Sequence, residues 1–109
     1  MTTNTEFRDY VLDQLRDMGA FETKNMFGGT AVLQDGNAFA KIKHGFLWLK
    51  VDDDNISDFI GAKMPQYTYG KDNSRRLNFY QTPAAVLEDP EILVRWATKA
   101  SKAAAQSKK

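Results

Sequence analysis

The sequence has no cysteine among its 109 residues, one histidine and three prolines. Without thiols the chain cannot form disulfides, thiolate zinc sites, iron–sulfur clusters or a cysteine nucleophile, and a reducing cytoplasm is the expected location. It also lacks the run of about 20 apolar residues that a membrane-spanning helix needs. Its N-terminus lacks the basic start and apolar stretch of a signal peptide. We therefore expect a cytoplasmic protein without a membrane segment.

An excess of either charge is also missing. Lys and Arg total 15 and Asp and Glu total 14, so the net charge of +1 falls short of the basic excess typical of a DNA-coating protein. Hydrophobic residues make up 42% of the chain, which is enough for one core at this length. We expect one domain over residues 1–100 and a frayed basic tail over 101–109, because that tail has little to bury.

Helices are predicted at both ends of the chain. Apolar residues spaced by three and four over residues 6–18 indicate a first helix that ends at Gly19. Near the C-terminus, Asp89 is a typical N-cap and Pro90 suits the first helical position. The buried face of this last helix is predicted to contain Ile92, Leu93, Trp96, Ala97 and Ala100.

Strand patterns fill the middle of the sequence. Residues 30–34 and 37–43 flank Asp35-Gly36, which predicts a hairpin, and residues 46–51 follow as a third strand. Carboxylates at 52–54 are expected to cap a short helix, and residues 66–69 and 75–81 predict a second hairpin. The fold class is therefore α+β, in the order α-β-β-β-α-β-β-α, with a five-stranded, mainly antiparallel sheet.

The third predicted strand is apolar on both faces. Phe46 and Trp48 point to one side, and Leu47, Leu49 and Val51 point to the other. Helices on one side of an antiparallel sheet would leave the second side in water. A partner subunit would cover that side, so we expect a homodimer.

Residues for catalysis are scarce. His44 precedes Gly45 in a predicted turn, where a solvated surface role is the simpler interpretation, and no Gly-x-Ser-x-Gly motif occurs. The carboxylates at 52–54 and Asp58 could attract a cation, but helix capping explains them without a metal. Gly28-Gly29 lacks the Gly-Lys-Ser/Thr of a phosphate-binding loop. We expect no enzyme, no cofactor and no metal.

A nucleic-acid interface is the alternative function. Lys71, Arg75 and Arg76 lie in the last hairpin beside aromatic residues that include Tyr80, a combination that single-strand binders use. Aromatic residues in alternating strands are also typical of a core, so both interpretations stay open. The candidate nucleic-acid residues are Lys71, Arg75, Arg76 and Tyr80.

Two segments resemble a known family. Met26-Phe27-Gly28-Gly29 before a strand, and Leu-x-Asp-Pro-x-x-Leu-x-x-Trp-Ala over residues 87–97, are similar to the N-terminal domain of the TfoX/Sxy family. The resemblance runs from about residue 7 to residue 100. Its motif residues are Met26, Phe27, Gly28, Gly29, Asp89, Pro90 and Trp96, for which we expect structural roles, with Phe27 in the core and the glycines close to a neighbouring helix.

The resemblance implies a fold like that of type III secretion chaperones and a link to natural competence. Full-length members are thought to act as transcriptional coactivators beside the cyclic-AMP receptor protein, and they are not known as enzymes. They continue into a second, helical domain, whereas this sequence stops at Lys109. The resemblance therefore implies a stand-alone, non-enzymatic regulatory domain that binds a regulator or a component of the transcription machinery.

Overall fold

The computed structural model of the chain describes residues 4–26, 29–43 and 45–106. The helices are α1 (Asn4–Gln14), α2 (Ile56–Gly61), α3 (Ala84–Leu87) and α4 (Pro90–Gln106), and a 3-10 turn (Arg16–Met18) follows α1. The strands are β1 (Glu22–Met26), β2 (Gly29–Gln34), β3 (Asn37–Lys43), β4 (Phe46–Lys50), β5 (Gln66–Tyr69) and β6 (Arg75–Gln81).

The six strands form one antiparallel sheet in the order β1-β2-β3-β4-β6-β5. The α+β class is confirmed, but the prediction of five strands is wrong because β1 was missed. This edge strand reads Glu-Thr-Lys-Asn-Met, and its side chains from Glu22 to Asn25 are exposed. An edge strand that buries so little carries no hydrophobic alternation for a sequence pattern to detect.

The predicted first hairpin is confirmed. Asp35 and Gly36 both adopt positive φ, at 54° and 80°, as a two-residue hairpin turn requires. A register shift between Val32 and Leu33 leaves Phe39 as the extra residue of β3. The bulge lets Phe39 bury its ring completely in the main core.

The helices cover one side of the sheet and bury the main core. α4 packs on β3 and β4 and also touches α1 and α3. Trp96 of α4 packs against Phe59 of α2, with the ring centroids 4.8 Å apart. The largest fully buried apolar side chains of this core are Phe39, Phe59, Leu15, Leu47, Leu49, Leu93, Val11 and Val32.

The predicted start of α4 is confirmed, and its buried face and its end are corrected. The Asp89 carboxylate accepts hydrogen bonds from the backbone N–H groups of Glu91 and Ile92 at 3.1 and 3.3 Å. Ile92 is exposed, whereas Ala103 and Ala104 are buried. These small side chains let the last turns of α4 pack closely on the core, and the helix continues to Gln106. The prediction that the chain frays directly after residue 100 is therefore wrong. The domain limits stay a prediction, and residues 107–109 lie outside the described residues.

The entry to α2 differs from the predicted carboxylate cap. Asn55 occupies the N-cap position without a side-chain bond to the helix. Its buried side chain instead donates to the Lys50 carbonyl at 3.0 Å and accepts from the Asp52 N–H at 2.7 Å. The Asp52 carboxylate accepts from the Asp54 N–H. These side chains therefore order the turn between β4 and α2, and none of those bonds caps the helix.

Position 29 requires a glycine because the neighbouring strand β3 lies too close for a side chain. A Cβ at this position would lie 2.8 Å from the Ile42 carbonyl oxygen and 3.3 Å from the Lys43 Cβ of β3. The expected close approach is therefore present, but to a strand and not to a helix. The expectation that Phe27 enters the core and the role of Gly28 fall outside the described residues.

Candidate functional site

The sheet has a second side, which we call the open face. Cross-strand partners in an antiparallel sheet share a side, and the register joins Lys24, Ala31, Lys41, Trp48 and Gln81 in one row across five strands. The neighbouring strand residues Leu47 and Leu49 point to the main core instead. The row therefore marks the side of the sheet that lies away from the helices.

Aromatic residues form the centre of the open face. Trp48, Tyr67 and Phe79 make a second hydrophobic cluster and are only 8%, 6% and 6% exposed. The rings of Trp48 and Tyr67 meet edge to face, with centroids 5.0 Å apart. The Trp48 indole N–H donates to the Lys43 carbonyl at 3.3 Å. The strands thus bury most of this cluster themselves, and a partner subunit is not needed to hide Trp48 from water.

Basic side chains surround this aromatic centre. The six strands contain six basic residues, but Glu22 is their one acidic residue, so thirteen of the 14 carboxylates lie elsewhere in the chain. None of the basic residues on the open face forms an ion pair in the described part of the chain. The alternation of the strands places these five on the open face: Lys24, Lys41, Lys43, Lys50 and Arg75.

Lys41 lies at the centre of this charge. Its ammonium is 5.5 Å from the Tyr67 ring centroid and 5.7 Å from that of Phe79, and the Lys50 ammonium is 5.2 Å from Phe79. Burial lowers the pKa of Lys41, and the positive charges of Lys43 and Lys50 lower it further. The rings stabilise the cations in part. Lys41, Lys43 and Lys50 therefore form a group of like charges beside the aromatic centre.

The predicted nucleic-acid residues do not form one surface. Arg75 and Arg76 are adjacent in β6, so Arg75 lies on the open face and Arg76 on the helix side. Tyr80 also faces the helices, where its ring is 5.9 Å from that of Phe59. Lys71 is exposed in the turn between β5 and β6. Nucleic-acid binding by this set stays a prediction.

Arg76 and Tyr80 do share a groove on the helix side. The groove has a volume of about 510 Å³ and lies between α2 and the outer strand β5. Its lining mixes apolar and polar groups, and its two charged residues, Lys63 and Arg76, are both basic. The lining residues are Ile60, Lys63, Met64, Gln66, Thr68, Arg76 and Tyr80.

The family-motif residues have structural positions where they are described. Asp89 caps α4, Pro90 is its first residue, and Trp96 packs on Phe59. Met26 ends β1 and pairs with Gly29 of β2. Phe27, Gly28 and His44 lie outside the described residues, and no role for them is assigned.

Sequence reasoning missed the charge pattern of the open face. Lys41 and Lys43 are two residues apart, and Lys50 is two residues after Trp48. Once the strand order is known, this spacing places all three lysines on one side of the sheet. The net charge of +1 concealed it, because carboxylates on helices and turns cancel the lysines in the total. Lys24 could not be found, because β1 itself was missed.

The described residues hold no group of three His, Asp or Glu side chains placed to bind a metal ion. No helix over the same ranges is both long and apolar enough to cross a bilayer. Residues 13–104 match the family model described as the TfoX N-terminal domain. No curated protein matches the chain.

Proposed function

Because the chain belongs to the TfoX N-terminal domain family, we propose that it is a non-enzymatic regulatory domain that works by binding another protein. The process is transcriptional regulation in competence or a related response, and the compartment is the cytoplasm. The observation that carries the proposal is the open face, which extends over all six strands and is not covered by the helices that bury the main core. Phe46 at one end of this face is 43% exposed, so the face offers a protein partner an apolar side chain beside its cations.

The position of Lys41 supports a binding role. It lies on the open face near Lys43 and Lys50, and burial and these two positive charges lower its pKa. A cationic surface of this kind recognises an acidic partner by charge complementarity.

The proposal is tested by capture and transcription together. Tagged wild-type protein should enrich one regulator or polymerase component from native cytosol, and loss of the chain should change transcription of the genes that this partner controls. The tag alone, carried through the same steps, is the control. Enrichment of no protein above that control, or unchanged transcription of the partner's genes, would contradict the proposal.

We also propose a homodimer, formed through a strand edge and not through the open face. The outer edges of β1 and β5 have no strand partner in the described chain, and such edges pair readily with a second copy. Sedimentation equilibrium should give a mass near twice 12.3 kDa at micromolar concentration. A single species at the monomer mass over the accessible concentrations would show that the edges stay unpaired.

A further inference from the structure

We propose that the open face binds an extended acidic protein segment, whose carboxylates lie among Lys24, Lys41, Lys43 and Lys50. This inference rests on the proposed function, because it names the surface and the chemistry of the protein partner. Charge complementarity carries it: the face concentrates five cations around an aromatic centre and holds Glu22 as the one carboxylate of its strands.

The spacing of the lysines suits separate carboxylates. Lys41 and Lys43 are two residues apart on β3, a separation of about 7 Å between Cα atoms. Lys41 and Lys50 are diagonal neighbours across β3 and β4, again about 7–8 Å apart. Side chains on one side of an extended peptide repeat every two residues, at about the same 7 Å distance. An extended segment with alternating carboxylates therefore matches the lysine spacing.

An acidic partner would also relieve an unfavourable arrangement. Burial is the main cause of the lowered pKa of Lys41, and Lys43 and Lys50 lower it further because like charges repel. A carboxylate between them would exchange repulsion for attraction, and the partly desolvated surroundings make that attraction stronger than at an ordinary surface. Within residues 4–26, 29–43 and 45–106 these cations form no ion pair, so they are available to a ligand.

The aromatic arrangement favours a peptide over single-stranded nucleic acid. Successive bases need bare ring faces close together, but Trp48, Tyr67 and Phe79 are nearly buried. The exposed rings of the open face are Phe46 and Tyr69, at 43% and 40% exposure. Phe46 begins β4 opposite Lys43 and Tyr69 ends β5 opposite Arg75, so they lie at opposite ends of the face. Neighbouring bases could not stack on both.

A second copy of the chain is not the occupant of this face. Two copies related by a two-fold axis would bring the same surface against itself. The lysines of one copy would then oppose the lysines of the other, with Glu22 as the sole strand carboxylate on each. Like charges placed directly opposite each other destabilise an interface. The occupant must therefore supply the negative charge from a different molecule.

The test compares two labelled probes of equal net charge, an oligoglutamate and an oligothymidylate, by fluorescence anisotropy at low and at physiological salt. Wild type should bind the oligoglutamate more tightly than the oligothymidylate, with an affinity that falls as salt rises. The double variant Lys43→Gln/Lys50→Gln should lose about tenfold in affinity. Lys63→Gln/Lys102→Gln removes the same charge from exposed positions off the open face and should bind like wild type.

A second pair of variants guards against misfolding. Lys24→Gln and Thr23→Glu each lower the net charge by one at adjacent exposed residues of β1, on opposite sides of the sheet. Lys24→Gln should weaken oligoglutamate binding by a factor of about two to five, and Thr23→Glu should change it less. Equal losses from both variants would mean a general charge effect and would overturn the proposal.

Three other results would also overturn the proposal. One is that wild type fails to bind the oligoglutamate at low salt, and another is that the two double variants lose the same affinity. The third is tighter binding of the oligothymidylate than of the oligoglutamate, which would assign the face to nucleic acid. Capture from native cytosol separates this inference from the proposed function. If Lys43→Gln/Lys50→Gln retains the wild-type partner, the docking face is wrong and the regulatory role stands, whereas failure of the wild type itself contradicts the regulatory role.

Discussion

Replacing Phe59 by alanine is expected to lower the free energy of unfolding by about 3–5 kcal/mol, the usual cost of deleting a buried aromatic ring. Phe59 is 1% exposed and contacts Trp96 of α4 and Tyr80 of β6, with centroid distances of 4.8 and 5.9 Å. It therefore joins the short helix α2 to both the long helix and the sheet. Because α2 has only six residues, it depends on this contact for its stability.

The matched control is Ile60→Ala in the same helix. Ile60 is 57% exposed, so its truncation should change stability by no more than about 0.5 kcal/mol. Urea unfolding of both variants and wild type, with the slopes compared as well as the midpoints, measures the difference. Similar midpoints for the two variants would mean that α2 does not pack on the core through Phe59.

Local chemistry explains which elements could be predicted from the sequence. The start of α4 was identified because Asp89 and Pro90 act within one turn of the helix. The β2–β3 hairpin was identified because Asp35-Gly36 sets the positive φ angles of its own turn. Both features depend on residues adjacent in sequence, so no knowledge of the tertiary structure was needed.

Elements that depend on distant neighbours were predicted less well. β1 forms because β2 offers an edge, and its own polar side chains give no sign of burial. Ile92 was expected in the core, but the face of α4 turned to the sheet contains small alanines further along the helix. Periodicity identifies a helix face only to within about one residue position, and the packing partner decides the rest.

The candidate site shows the same division between local and distant information. Lys71, Arg75, Arg76 and Tyr80 are close in sequence, but strand alternation separates Arg75 from Arg76 and Tyr80. Lys24 is remote in sequence from Lys41, Lys43 and Lys50, and the register of β1 to β4 brings it to the same side of the sheet. A cluster assembled from several strands becomes visible only when the order of those strands is known.

Trp48→Ala should lower the free energy of unfolding by about 3–5 kcal/mol even in the isolated chain. Trp48 is a buried ring of the open face, in edge-to-face contact with Tyr67 and hydrogen-bonded to the Lys43 carbonyl. Its removal would leave a cavity beside Lys41, its cross-strand partner, and would loosen β5, an outer strand that the aromatic cluster helps to hold. Urea unfolding of the variant and wild type at the same protein concentration measures this effect.

The control is Phe46→Ala, on the same strand and the same side of the sheet. Phe46 is 43% exposed and meets Trp48 only at 6.1 Å between ring centroids, so its truncation should cost no more than about 1 kcal/mol. If a second copy covered the open face, both rings would be buried in the assembly. Phe46→Ala would then cost as much as Trp48→Ala. A large difference between the two variants is the result expected if the strands cover Trp48 themselves and leave the surrounding lysines accessible to an acidic partner.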